Sequence, residues 1–330
     1  MNDADDPTAK DRHIARRDLL KLFGPAALAG GALTAVGLGL GGRPGRHLPP
    51  SSDTAPTPPD WRVDPTAPGR LVIAGGGGPR VNLAAAVVRL GGMDRFVRQG
   101  DRVAIKPNCA WDRTAEQAAN TNPELVGELV TQCLAAGAAS VVVLDNTCHD
   151  AARTFARSGI AAATLAAGGT VAHQKSTGTV ELALGGTVLG PWEVLRPIVE
   201  ADRLINVPVV KHHSLGRGTL GMKNWFGAIV GGRSSLHQRI NQVCAELGCA
   251  FRPTLTVIDA TRVLTAGGPT GGSLDLVRAD DLIAVATDPV AADTWGATLL
   301  GLSPEDLPYL AIAARLGVGT TDWQSVATRV

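Results

Sequence analysis

RVAIKPNCAWDRTAEQAANTNPELVGELVTQCLAAGAASVVVLD, residues 102–145, reads as one strand, one helix and a second strand. The runs at 102–106 and 140–144 are short, apolar and rich in β-branched residues, which suits buried strands. Between them, Asn122 is placed to cap a helix, and Pro123 takes its first position, where a missing N–H costs no hydrogen bond. Gly137 stands just past the helix end. Two strands joined through one helix predict a parallel sheet covered by helices.

The same alternation continues on both sides. RLVIA (70–74) precedes VNLAAAVVRLGGMDRFV (81–97), and SVVVLD (140–145) precedes DAARTFARSGIAAATLAAGG (150–169). ADRLINVPVVK (201–211), TLTVIDA (254–260) and DLIAVAT (281–287) supply three more buried strands, and the tail from Pro289 is mainly helical. TVELALGGTVLG (179–190) reads as a hairpin about Gly185 and Gly186. The expected fold is α/β: a mainly parallel, doubly wound sheet flanked by helices, with a hairpin insertion, in one domain over residues 70–330. No internal repeat is visible.

Upstream the composition changes. The basic segment DRHIARRDLLK (11–21) runs into the apolar LFGPAALAGGALTAVGLGLGG (22–42), a targeting pattern. Paired Arg16 and Arg17 resemble a twin-arginine export signal, so residues 1–42 are expected to meet the twin-arginine translocase. The expected location is the periplasm or cell surface, with retention as an N-terminal anchor left open. Residues 43–69, rich in Pro, Ser, Thr and Asp, predict a loose linker. With 31 basic against 30 acidic residues, composition offers no argument for nucleic acid or an acidic membrane surface. Any membrane contact is expected only through the N-terminal segment.

Chemistry gathers where the strands end. Lys106 and Asn108 follow one strand, Asp145 a second, Lys211 and His212 a third, and Asp259 a fourth. In open α/β sheets ligands bind at that edge. Residues 216–221, GRGTLG, then suggest a mobile glycine loop that includes Gly218 and delivers Lys223 and Asn224 to a helix start, a seat for an anion. An extended backbone sends His212 and His213 to opposite sides, and the residue pattern alone favours His212. His237 sits in a segment that Ser234 or Ser235 could cap as a helix. Asp288, before Pro289, reads as a helix cap. VIAGGGGPRVNL (72–83) lacks the third glycine of a dinucleotide fingerprint and reads as a tight strand-to-helix turn.

The absences narrow the chemistry. There is no histidine pair at zinc spacing, so a metal ion would need ligands from distant segments. There is no cysteine run of the ferredoxin kind, which argues against an iron–sulfur cluster, and no nucleophile elbow for serine hydrolysis. The cofactor is left unknown. Cys109 and Cys148 follow Lys106 and Asp145 by the same three positions, which would place them side by side above adjacent parallel strands.

KPN (106–108), TNPEL (121–125), INVPVVKHHS (205–214), TLGMKNWFG (219–227), His237, AGGP (266–269) and DPVAAD (288–293) together resemble the family catalogued as domain of unknown function 362. The resemblance covers about residues 100–318. It implies a lysine followed, after one residue, by histidine, met here by Lys211 and His213. It strengthens the site without identifying a reaction. The leading expectation is an exported α/β enzyme for a small anionic molecule. Lys106, Asn108, Gly218, Lys223, Asn224, His237 and Asp259 would bind, and Lys211, His212 or His213, and Asp145 would carry the chemistry. The alternative is a non-catalytic protein that binds a cofactor or oxyanion.

Overall fold

The computed structural model describes residues 55–330. The expected signal at 1–42, and the linker up to residue 54, lie outside the described residues. The strands are β1 (Leu71–Gly75), β2 (Arg102–Pro107), β3 (Ser140–Asp145), β4 (Thr170–His173), β5 (Thr179–Ala183), β6 (Pro191–Leu195), β7 (Arg203–Val207), β8 (Val209–His213), β9 (Arg217–Thr219), β10 (Leu255–Leu264), β11 (Val277–Ala286) and β12 (Ala327–Arg329). The main sheet runs β12-β1-β11-β10-β7-β2-β3-β4, with β8 paired to β10 and β9. β2, β3, β4, β7, β8 and β10 pair in parallel, whereas β11 is antiparallel to both β1 and β10. The fold is therefore α/β with a mostly parallel sheet.

Period-two alternation builds a core on each face. From β2, Ala104 enters one cluster, while Val103 and Ile105 enter the other; from β10, Ile258 and Val257 divide in the same way. The helices Gly78–Leu90 and Pro123–Ala135 cover one face through Leu83, Val87, Leu125 and Leu129. Ile240–Ala250, Pro289–Thr298 and Tyr309–Arg315 cover the other through Val243, Trp295 and Leu310. The helix 123–135 starts as its sequence predicts, with the Asn122 side chain accepting from Glu124 N–H.

Several details differ from expectation. INVPVV is two strands, because Pro208 has no N–H for the ladder and the chain moves from its place beside β2 to pair further along β10. The hairpin pairs β5 with β6, Ala183 opposite Pro191, so TVLG lies in its loop. The Glu246 carboxylate accepts from the N–H groups of Thr187, Val188 and Leu189, removing them from strand pairing. The packed body also begins before Arg70. Trp61 is 1% exposed, donates Nε1–H to Ala201 O and stacks near Phe251. A buried indole repays ordering, so the last part of the expected loose linker is part of the domain.

β2 leads to β3 and β4 toward one edge, after which the chain returns to β7 on the other side of β2. That reversal makes the carboxyl ends of β2 and β7 a topological switch point, the place where α/β sheets hold ligands.

Candidate functional site

At the end of β2, Lys106 is 1% exposed. Its Nζ donates to Asn224 Oδ1 at 3.0 Å and to Pro107 O at 2.7 Å, and it stands 3.0 Å from Asp145 Oδ1 at the end of β3. The contact with Asp145 is an ion pair without hydrogen-bond alignment. Asp145 Oδ2 accepts from Cys109 N–H at 2.7 Å. Burial pushes the Lys106 ammonium down from its ordinary value, with Asp145 opposing that shift. Gly227 is required here, since a Cβ at that position would run into Asp145 Oδ1 and lie 2.6 Å from Lys106 Nζ.

Asn224 extends the network. Its Oδ1 also accepts from Asn108 Nδ2, and its Nδ2 donates to Asn206 Oδ1 and to Lys106 O. Asn108 Oδ1 then accepts from Lys211 Nζ at 3.0 Å, and Ala119 O accepts from the same amine at 2.5 Å. One continuous chain thus links Asp145, Lys106, Asn224, Asn108 and Lys211. The break at Pro208 makes this reach geometrically available, because β8 carries Lys211 beyond the level at which β2 ends.

Lys211 and His213 share a face of β8, and His212 takes the other. His212 Nδ1 accepts from Gly268 N–H. The histidine on the lysine side is therefore His213, not the His212 that the residue pattern favoured. His213 Nδ1 accepts from Leu215 and Gly216 N–H at 3.1 Å each, which leaves Nε2 to carry the proton of the neutral ring. Its ring stacks with His237 at 6.0 Å, and His237 lies 5.0 Å from Phe226. Burial first, then Lys223 and Lys211, push the His213 imidazole down to about 3. Burial and then Lys223 likewise push Lys211 down to about 7.

Lys223 is 8% exposed, and its Nζ lies 5.1 Å from the centre of the Phe226 ring. Among the described residues it has no hydrogen-bond acceptor or carboxylate partner. Its stem is covered by the β8–β9 turn, where a Cβ on Gly216 would approach Lys223 Cε at 3.2 Å. Arg233 reaches Phe226 O and Thr147 O and lies 3.7 Å from Cys148 Sγ. Cys148 is exposed, and it marks the open side together with the partly exposed Arg233 and His237.

Other expected features sit elsewhere. Residues 217–219 form β9, so GRGTLG is a tight hairpin rather than a mobile loop. A side chain at Gly218 would meet Leu300 and Leu302. The helix start at Gly221 is already taken, because Gly221 and Met222 N–H donate to the Asp293 carboxylate at 2.6 and 2.9 Å. Asp259 accepts from Asn122 N–H and from Thr261 N–H and Oγ1–H, tying β10 to a helix start. Asp288 caps its helix through Val290 and Ala291 N–H. In the 75–78 turn, Gly78 N–H donates to Asp281 Oδ2, so a carboxylate of the chain occupies the place a phosphate would take. Cys109 and Cys148 are both free thiols: Cys109 turns inward to Ser158, while Cys148 N–H meets Ala110 O. Among the described residues no group of three or more His, Cys, Asp or Glu gathers as metal donors.

Asn206, Gly227 and Arg233 join the site without having been singled out in the sequence, and Cys148, noted there for its spacing against Cys109, joins it beside Arg233. Asn206 had one readable signal, a polar residue inside an apolar strand. The others are brought in by loops whose course no periodicity reveals.

A thylakoid-associated protein of Synechocystis sp. is 27% identical over 240 residues, covering 70% of this chain and 73% of the relative. The model of the family described as domain of unknown function, DUF362, matches residues 103–298, a span that runs from β2 through the helix after β11 and holds every member of the lysine–asparagine network. The chain belongs to that family.

Proposed function

We propose that the crevice at the carboxyl ends of β2 and β7 binds a small organic anion and performs proton transfer on it, with Lys223 and Arg233 as anion holders and Lys211 as the base. The observation that carries this reading is Lys223, a nearly buried ammonium that meets only the face of Phe226 among the described residues. Burial pushes the Lys223 amine down from its ordinary value while its Nζ keeps an opening to solvent, so an anion arriving from the Arg233 side would stabilise its charged form. Lys211 suits a base because a neutral amine has two N–H groups, matching its two acceptors, and a lone pair. His213, neutral and already accepting at Nδ1, is an Nε2–H donor rather than a base. Lys106 and Asp145 hold Asn224 and the backbone of Cys109 in place.

Calorimetric titration of the purified chain with inorganic phosphate tests the anion seat. Lys223→Ala should weaken binding about tenfold or more, as loss of a charge-assisted contact does, while thermal stability stays level or rises. Unchanged phosphate binding, or a marked loss of stability, would overturn the assignment.

For location, we infer that Arg16 and Arg17 send the folded chain out of the cytoplasm. No helix among the described residues is long and apolar enough to cross a membrane. The basic pair followed by an apolar stretch supports the reading, and the thylakoid association named for the relative is compatible with it. Replacing both arginines by lysine should strand the protein in the cytoplasm on fractionation; export of that variant would contradict the inference.

A further inference from the structure

We propose that a second binding site, for a small organic oxyanion with an apolar body, lies at the opposite edge of the sheet, in a cavity of about 360 Å³ lined by Arg62, Arg70, Arg95 and Arg252. The topology separates it from the lysine crevice. Arg70 precedes β1, Arg252 precedes β10, and Thr287 follows the antiparallel β11, so the cavity faces the amino ends of the parallel strands. Lys106, Asp145 and Lys211 stand at their carboxyl ends.

The arginines of the lining outnumber its carboxylates, Asp64 and Asp288. Arg62 is forked onto Asp60, with its Nη2 at 2.6 Å. The other three guanidinium groups donate only to carbonyl oxygens: Arg70 to Leu90 O and Arg89 O, Arg95 to Leu90 O, and Arg252 to Cys249 O and Gly317 O, while the Arg95 guanidinium also lies over the Phe96 ring, 5.8 Å from its centre. None of these three forms an ion pair among the described residues. Two carboxylates border the cavity against four guanidinium groups, and both accept from backbone or hydroxyl donors and from no arginine. Asp64 accepts from Thr66 and Ala67, and Asp288 from Val290, Ala291 and Thr320.

Arg70 and Arg95 also serve the carbonyl end of the helix Gly78–Leu90, a place where cations are favourable without any ligand. That role uses at most two of the five donors on each guanidinium and does not involve Arg252. The remaining N–H groups border a concave space within the size range of small-ligand sites. Phe96 and Val318 supply apolar wall, and the packed segment around Trp61 closes one side. A phosphate or carboxylate would take the guanidinium forks, and a ring or short alkyl body would lie against Phe96 and Val318.

Phenyl phosphate is the probe, titrated by calorimetry into the Lys223→Ala chain so that the crevice cannot account for the signal. One site is expected, about tenfold tighter than for inorganic phosphate because the ring is buried. Arg95→Gln and Arg252→Gln should each weaken it about tenfold. Arg95 is exposed, so its variant keeps the fold. Benzoate in a parallel titration shows whether a carboxylate is held as well as a phosphate; tight binding of either supports the site. Binding unchanged in both arginine variants, or no binding of either probe at millimolar concentration, would overturn the proposal. Binding present in wild type and lost in Lys223→Ala would assign the probe to the crevice and reject this cavity.

Discussion

Lys211 gives the site a pH signature that stability can read. Burial holds its amine at about 7 in the folded chain, against 10.5 as its ordinary value. Between those limits the unfolded chain holds a proton that the folded chain lacks, so this group adds stability as pH rises from about 7 toward 10. Below about 7 both states are protonated and the full burial penalty applies. Denaturant midpoints at pH 7, 8 and 9 should therefore rise less in Lys211→Met than in wild type. Equal rises would show that Lys211 keeps its proton. The histidines illustrate what was legible one residue at a time. Strand alternation requires that His212 and His213 part company, but choosing between them needed the position of Asn108, 103 residues from Lys211 in the chain, which draws the Lys211 face inward.

At the scale of elements, the helix Gly221–Asn224 presents Lys223 and Asn224, and its four residues are too few to hold themselves. Asp293 holds it by accepting from Gly221 and Met222 N–H, and burial raises this carboxyl to about 7. Asp293→Ala leaves two buried donors unsatisfied and should cost about 2–4 kcal/mol, read as a shift in the urea midpoint. Asp293→Asn keeps one acceptor and should cost about half as much. A smaller loss in the alanine variant than in the asparagine variant would show that the carboxylate does not anchor the helix. Glycines before a short helix suggested an anion seat, and the acceptor that fills it lies on the helix after β11, beyond reach of any local motif.

Across the described residues, the sheet has a buried polar network at the carboxyl ends of its parallel strands and an arginine-lined cavity at their amino ends, with the segment before β1 packed beside the second. Trp61 anchors that segment against Phe251 and Ala201. Trp61→Ala should cost about 3–5 kcal/mol, the usual loss for a buried aromatic, and should expose the 55–69 segment to limited proteolysis. A variant as stable and as resistant as wild type would return the segment to the role of linker. Composition gave no hint of this, because proline and serine around one tryptophan look like disorder until the surface that receives the indole exists.

By itself, the order of apolar runs and breakers determined the α/β class, the capped helix at 123–135 and the strand-end positions of Lys106 and Asp145, because period, capping and turn chemistry act over a few residues. Tertiary structure alone decided that INVPVV divides at Pro208, that the face shared by Lys211 and His213 is the one turned toward Asn108, and that Gly221 and Gly78 meet carboxylates of the chain. It also decided that Asn206, Gly227 and Arg233 enter the site. These outcomes depend on which distant donor meets which acceptor once water is excluded, and only the packed sheet brings those groups within hydrogen-bonding distance.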